Sequence, residues 1–194
     1  MSEPVPCQVL NQIYAQSIQP NPSGLQEGGI MPVTSLQGGL SFNWNFKRLD
    51  NGAFHIIPPT LDTGRNAAEL RAVGKDDLLF VKNETGSEDA DPNIIQEWEV
   101  LSSARDGGAI EPLNGKFKGW YIIAARGDPK RVWMLPSGME TTQVAVRDLF
   151  TADGPDQADQ QAYLNAQALP DTRASDLNWK PRQWLWYIDS NVKV

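Results

Sequence analysis

The chain is poor in the side chains that carry most protein chemistry. Its 194 residues include one cysteine and one histidine. A lone Cys7 excludes an internal disulfide. With His55 as the single imidazole, a metal cluster would have to rest on carboxylates. A Cys7–His55 nucleophile pair is the one thiol–imidazole combination available, and the two lie far apart in sequence. Gly38-Gly39 and Gly107-Gly108 read as turns, not as a phosphate-cradling loop. The expectation is a protein that is not an enzyme and needs no cofactor. Basic charge is also short. Seventeen Lys and Arg face 24 Asp and Glu, for a net charge of −7. That balance argues against nucleic acid, whose phosphates call for a basic stripe. It argues equally against an anionic membrane surface. No run approaches the roughly 18 apolar residues of a membrane span. The opening Met1-Ser2-Glu3-Pro4-Val5-Pro6-Cys7 has neither the basic segment nor the apolar run of a secretory signal. A cytoplasmic protein without membrane insertion is expected, and Asn83-Glu84-Thr85 reads as a chance sequon.

What is present points to a globular β protein. Hydrophobic residues make up 40% of the chain and charged residues 21%, an ordinary soluble composition. The length suits a single domain spanning residues 1–194. Sixteen Gly, 14 Pro and seven Trp indicate many turns and a large aromatic supply. One phrase recurs three times: Phe42-Asn43-Trp44-Asn45-Phe46, Gln96-Glu97-Trp98-Glu99-Val100 and Trp184-Leu185-Trp186-Tyr187-Ile188. Residues two apart on a strand share a face. Trp44 and Phe46, Trp98 and Val100, and Trp186 and Ile188 should therefore each point inward together. Asp50-Asn51-Gly52 is a hairpin turn, followed by the strand Phe54-His55-Ile56-Ile57. A first strand is expected around Cys7-Gln8-Val9-Leu10 or Ile13-Tyr14-Ala15, and further strands at Ile30–Leu36, Asp77–Lys82, Trp120–Ala124, Arg131–Leu135 and Thr142–Arg147; Ala68–Val73 fits a strand or a helix. Pro136-Ser137-Gly138 stops the Arg131–Leu135 strand.

Residues 153–176 differ from the rest, being rich in Asp, Gln and Ala. They read as an insertion in the third unit, a loop with a short helix within 156–169. The insertion accounts for the long interval between Trp98 and Trp186. Three four-stranded units, about twelve short strands in all, then close into an all-β body with a pseudo-threefold axis.

On these residues the chain resembles the β-trefoil proteins of the ricin-B-like fungal lectins and the fungal trefoil (mycocypin-like) protease inhibitors. Gln96-Glu97-Trp98 keeps the family's Gln-x-Trp ending. Asn43-Trp44 and Trp184-Leu185-Trp186 are variants of it. The run Val33–Phe46 with Asn51–Ile56 is the most lectin-like. The resemblance spans about residues 5–188 outside the insertion. It implies a β-trefoil fold and a carbohydrate-binding lectin function, with glycans or glycoproteins as partners. The alternative it implies is a protease inhibitor acting through exposed loops. A structural trefoil without a small ligand is a third class. The sugar-binding repeats often carry an Asp on the second strand, and Leu70-Arg71-Ala72 and Val132-Trp133-Met134 have none.

A sugar-binding site would use an exposed aromatic ring with hydrogen-bonding groups beside it. Trp133, with Arg126, Asp128 and Arg131 nearby, is the first candidate, and Trp179 the second. Trp120 and Trp184 complete the aromatic surplus. An inhibitor would instead present Arg65, Lys130, Arg131 or Arg173 to a trypsin-like enzyme, or a Gly-rich or apolar loop tip to a papain-like one.

Overall fold

The computed structural model describes residues 3–11, 14–24, 30–36, 42–59, 70–83, 93–102, 116–148 and 183–190. They hold twelve strands. These are β1 (Val5–Asn11), β2 (Ser17–Pro20), β3 (Met31–Leu36), β4 (Asn43–Arg48), β5 (Phe54–Ile57) and β6 (Leu70–Lys75). There follow β7 (Leu78–Asn83), β8 (Trp98–Ser102), β9 (Lys118–Ala125), β10 (Asp128–Met134), β11 (Ala145–Asp148) and β12 (Trp186–Asp189).

Turn chemistry sets the hairpins. Between β4 and β5, Gly52 takes φ 87. Leu49 N donates to Ala53 O at 2.8 Å, and Ala53 N to Asn51 Oδ1 at 3.0 Å. Asp76 and Asp77, with φ 48 and 61, close β6 onto β7 in the two-residue geometry that matches strand twist. The turn from β9 to β10 is Arg126-Gly127.

All pairings are antiparallel and belong to one sheet. The strands β10, β11, β7, β3, β2, β1, β4, β5, β8 and β9 form a closed circuit of ten, because β9 returns to β10. β12 runs between β1 and β9, and β6 joins through β7. The expectation of a β-trefoil of three like units is therefore corrected: the body is a closed antiparallel barrel. β1 pairs with β2 and β9 with β10, whereas β5 has no ladder to β6. A repeated Trp-x-apolar phrase specifies a strand with one inward face. It does not specify which strands pair, which depends on contacts distant in sequence. No α-helix occurs among the described residues. The insertion at 153–176 and its helix lie outside them.

The core is built on tryptophan. Trp44, Trp98, Trp133 and Trp186 are all fully buried. The indole N–H groups of Trp44, Trp98 and Trp186 donate to the carbonyls of Ile18, Ala72 and Trp133, each at 3.0 Å. The recurring phrase thus places its three tryptophans in like settings. Trp133 stands among them, its ring centroid 6.3 Å from Trp44, 5.2 Å from Trp98 and 6.3 Å from Trp186, all edge-on. Edge-to-face packing suits the ring quadrupole and adds about 0.5–1.5 kcal/mol per pair beyond burial. Ile18 and Ala72 hold the corresponding acceptor places. Their smaller side chains suit a centre that holds one indole.

Candidate functional site

Trp133 cannot be the sugar platform expected of it. It has no exposed face, so no ring can stack on it, and the site assignment is corrected at that residue. The β9–β10 hairpin turns its charged end to solvent and its Trp133 end into the core. Arg126 pairs with Glu97, and Arg131 with Asp77. Exposed Asp128 accepts from Lys130 N at 3.3 Å within its own turn. Arg126, Asp128 and Arg131 are therefore brought together on one hairpin, but without the exposed ring. Trp179, Arg65 and Arg173 lie outside the described residues.

Nearby sits a polar cluster. Glu97 accepts from both Arg126 and Asn51. Burial works against its charge, but these hydrogen bonds hold its carboxyl below the usual range. Arg71 Nη1 donates to His55 Nε2 at 2.9 Å. Burial first, then the charges of Arg71 and Lys47, push the His55 pKa down to about 4, with Glu97 opposing. His55 is thus neutral at pH 7. Cys7 is fully buried, and burial aided by Asp189 pushes its thiol up to about 12. Neither is poised as a nucleophile or base. Among the described residues no group of His, Cys, Asp or Glu could hold a metal ion, and no helix is long and apolar enough to cross a membrane.

The feature that sequence reasoning passed over is the β10–β11 connection. Met139, at its tip, is 72% exposed and is the one exposed large hydrophobic residue among those described. The loop beneath it is tied down throughout. Ser35 N donates to Thr142 O at 2.8 Å, and Thr141 N to Ser35 O at 3.2 Å. Thr142 N meets Ser35 Oγ at 3.1 Å, and Met139 N meets Ser137 Oγ at 3.2 Å. Ser137 and Thr142 share a hydroxyl–hydroxyl bond of 2.9 Å. From the other side, Gln16 Nε2 donates to Gly138 O at 2.7 Å, and Gln183 Nε2 to Pro136 O at 3.0 Å. Gly138 is required by close approach: a Cβ there would lie 2.6 Å from Tyr14 Cδ1. Such anchoring removes the ordering cost a flexible loop bears on binding. The sequence signal was an apolar residue between Pro136-Ser137-Gly138 and Glu140-Thr141-Thr142. It was hidden because Pro and Gly read only as a strand stop.

A second surface is aromatic. Trp120 and Tyr187 are register partners on β9 and β12. Both are half-buried, with ring centroids 5.1 Å apart. Their neighbours Tyr121, Trp186 and Ile188 belong to the main core, so alternation places Trp120 and Tyr187 on the barrel's outer side. Leu10 lies opposite Tyr187 on β1.

No protein-family model and no curated protein matches the chain. Solved structures do. A proteinase inhibitor from Coprinopsis cinerea superimposes with a TM-score of 0.57 at 14% identity, over 97% of this chain and 99% of that one. A designed threefold-symmetric protein, ThreeFoil, gives 0.51 at 12% identity, over 95% and 97%. The Rhizoctonia solani agglutinin gives 0.47 at 12% identity, over 79% and 93%. At these identities the first two likenesses define a shared all-β scaffold.

Proposed function

We propose that this protein is a protease inhibitor that acts through the loop 136–142. The observation that carries the reading is the exposed Met139 side chain on a loop fixed in advance by hydrogen bonds to β3, Gln16 and Gln183. The partner is an endopeptidase with an apolar subsite. The protein itself performs no catalysis. Likeness to the Coprinopsis cinerea inhibitor supports the scaffold, and the loop supports the activity. Seating a methionine in an apolar pocket contributes about 1.5–3 kcal/mol, or roughly ten- to a hundredfold in affinity. Inhibition constants should be measured against chymotrypsin, subtilisin, papain and trypsin. Inhibition of an apolar-preferring enzyme that falls at least tenfold in Met139→Ala is the expected result. No inhibition of any endopeptidase overturns the reading.

Glycan binding is the second reading, and the Trp120–Tyr187 pair is the observation that favours it. Glycan-array binding lost in Trp120→Ala, with inhibition absent, would establish it in place of the first.

A further inference from the structure

An inhibitor loop can imitate a substrate or merely block the cleft, and the two demand different things of the backbone. A substrate-like loop delivers the carbonyl of its anchoring residue to the oxyanion hole, whose donors must lie about 2.7–3.1 Å from that oxygen. A carbonyl oxygen has two lone pairs. The Met139 carbonyl already accepts from Thr142 Oγ1 at 2.7 Å, Ser35 Oγ at 2.9 Å and Thr142 N at 3.2 Å. It is turned into the loop, toward β3. The chain from Met139 to Thr142 is also curled by the Thr142 N bond, with Thr141 at φ 60. A scissile segment lies extended in a protease cleft, and this segment does not.

Resting on the inhibitor reading, we infer that the loop blocks its target by the side chain of Met139 alone and withholds the Met139–Glu140 peptide from cleavage. Ser35 and Thr142 are the residues that enforce this, since they occupy the carbonyl the protease would need. The side chain enters an apolar subsite while the peptide bond stays outside the oxyanion hole. The inhibitor is therefore recovered intact after long contact with the enzyme.

The test uses the full-length protein and whichever apolar-preferring endopeptidase it inhibits, chymotrypsin first. The two are incubated for days at equal concentration, and the inhibitor is analysed by intact mass and peptide mapping. Uncleaved Met139–Glu140 with inhibition retained is the expected result. Hydrolysis of that bond in the wild-type protein while inhibition persists overturns the inference and leaves the inhibitor reading standing. Inhibition of nothing in the panel overturns the inhibitor reading, and this inference with it. In the double variant Ser35→Ala/Thr142→Val the carbonyl loses both hydroxyl donors and keeps only the longer bond from Thr142 N, and cleavage at Met139–Glu140 should rise at least tenfold over wild type. If that variant is folded by circular dichroism and stays uncut, the assigned role of Ser35 and Thr142 is wrong. The wild-type measurement stands whether or not the variant folds.

Discussion

The hydroxyl of Ser35 donates to the carbonyl oxygen of Met139 at 2.9 Å, joining residues 104 positions apart. Through it β3 holds the exposed loop tip. The same hydroxyl accepts from Thr142 N, so one side chain on a neighbouring strand fixes both ends of the turn. The loop is thus anchored to β3 at both ends of its turn.

Gly138→Ala should disturb the loop without dismantling the barrel. The added methyl would meet Tyr14 Cδ1 at 2.6 Å and Cε1 at 3.1 Å, and an aromatic ring cannot fold out of the way as a flexible chain end can. Overpacking of this kind costs about 1–3 kcal/mol. The expected outcome in a thermal melt is a Tm lower by several degrees, at roughly 2–4 °C per kcal/mol for a chain of this size. Circular dichroism should stay native, and inhibition should weaken at least tenfold.

Trp133→Ala should behave as a core truncation. Its indole is fully buried and meets three other tryptophans, so the loss should be about 3–5 kcal/mol, read from urea unfolding. A variant as stable as wild type would remove Trp133 from the centre of the core.

Stability should fall on acidification between about pH 6.5 and pH 4. The His55 pKa is held down in the folded protein, to about 4, chiefly by burial and then by Arg71 and Lys47. The unfolded chain therefore takes up the proton first as pH falls, and folding loses ground through that window. The contribution is complete above the unfolded value. Partial exposure of the ring reduces it. NMR titration of His55 gives the pKa directly, and a value near 6.5 would refute the assignment.

Cys7 should resist thiol reagents. Its pKa, pushed up to about 12 by burial and by Asp189, leaves almost no thiolate at pH 8. Here the folded value is raised, so this group's stabilisation is present below the ordinary thiol pKa and is lost as pH climbs toward 12. A disulfide reagent at pH 8 should label Cys7 only after denaturant is added. Rapid labelling of native protein would contradict the burial.

Dilute peroxide should oxidise Met139 ahead of Met31 and Met134, which are only 3% and 4% exposed. The sulfoxide is polar and no longer suits an apolar subsite, so inhibition should fall with the fraction oxidised. Methionine sulfoxide reductase should restore it. Peptide mapping identifies the residue, and Met139→Leu should be insensitive.

The sequence by itself determined the local structure. Alternation placed Trp44, Trp98 and Trp186 inward, and Asn51-Gly52 closed a hairpin, because both depend on neighbours a few residues apart. Pairing between distant strands was decided only in three dimensions: that β5 pairs with β8 and not with β6, or that β12 runs between β1 and β9, rests on contacts that no local pattern encodes. The same holds for Trp133. Read along the chain it was a surplus tryptophan beside charged residues. Buried, it stands among Trp44, Trp98 and Trp186, a packing visible only once distant strands meet. Met139 is the converse case. An apolar residue in a Pro- and Gly-bounded segment could have packed inward. It is left exposed because the polar groups around it, Ser35 and Gln16 from elsewhere in the chain, hold the backbone beneath and leave its side chain in solvent.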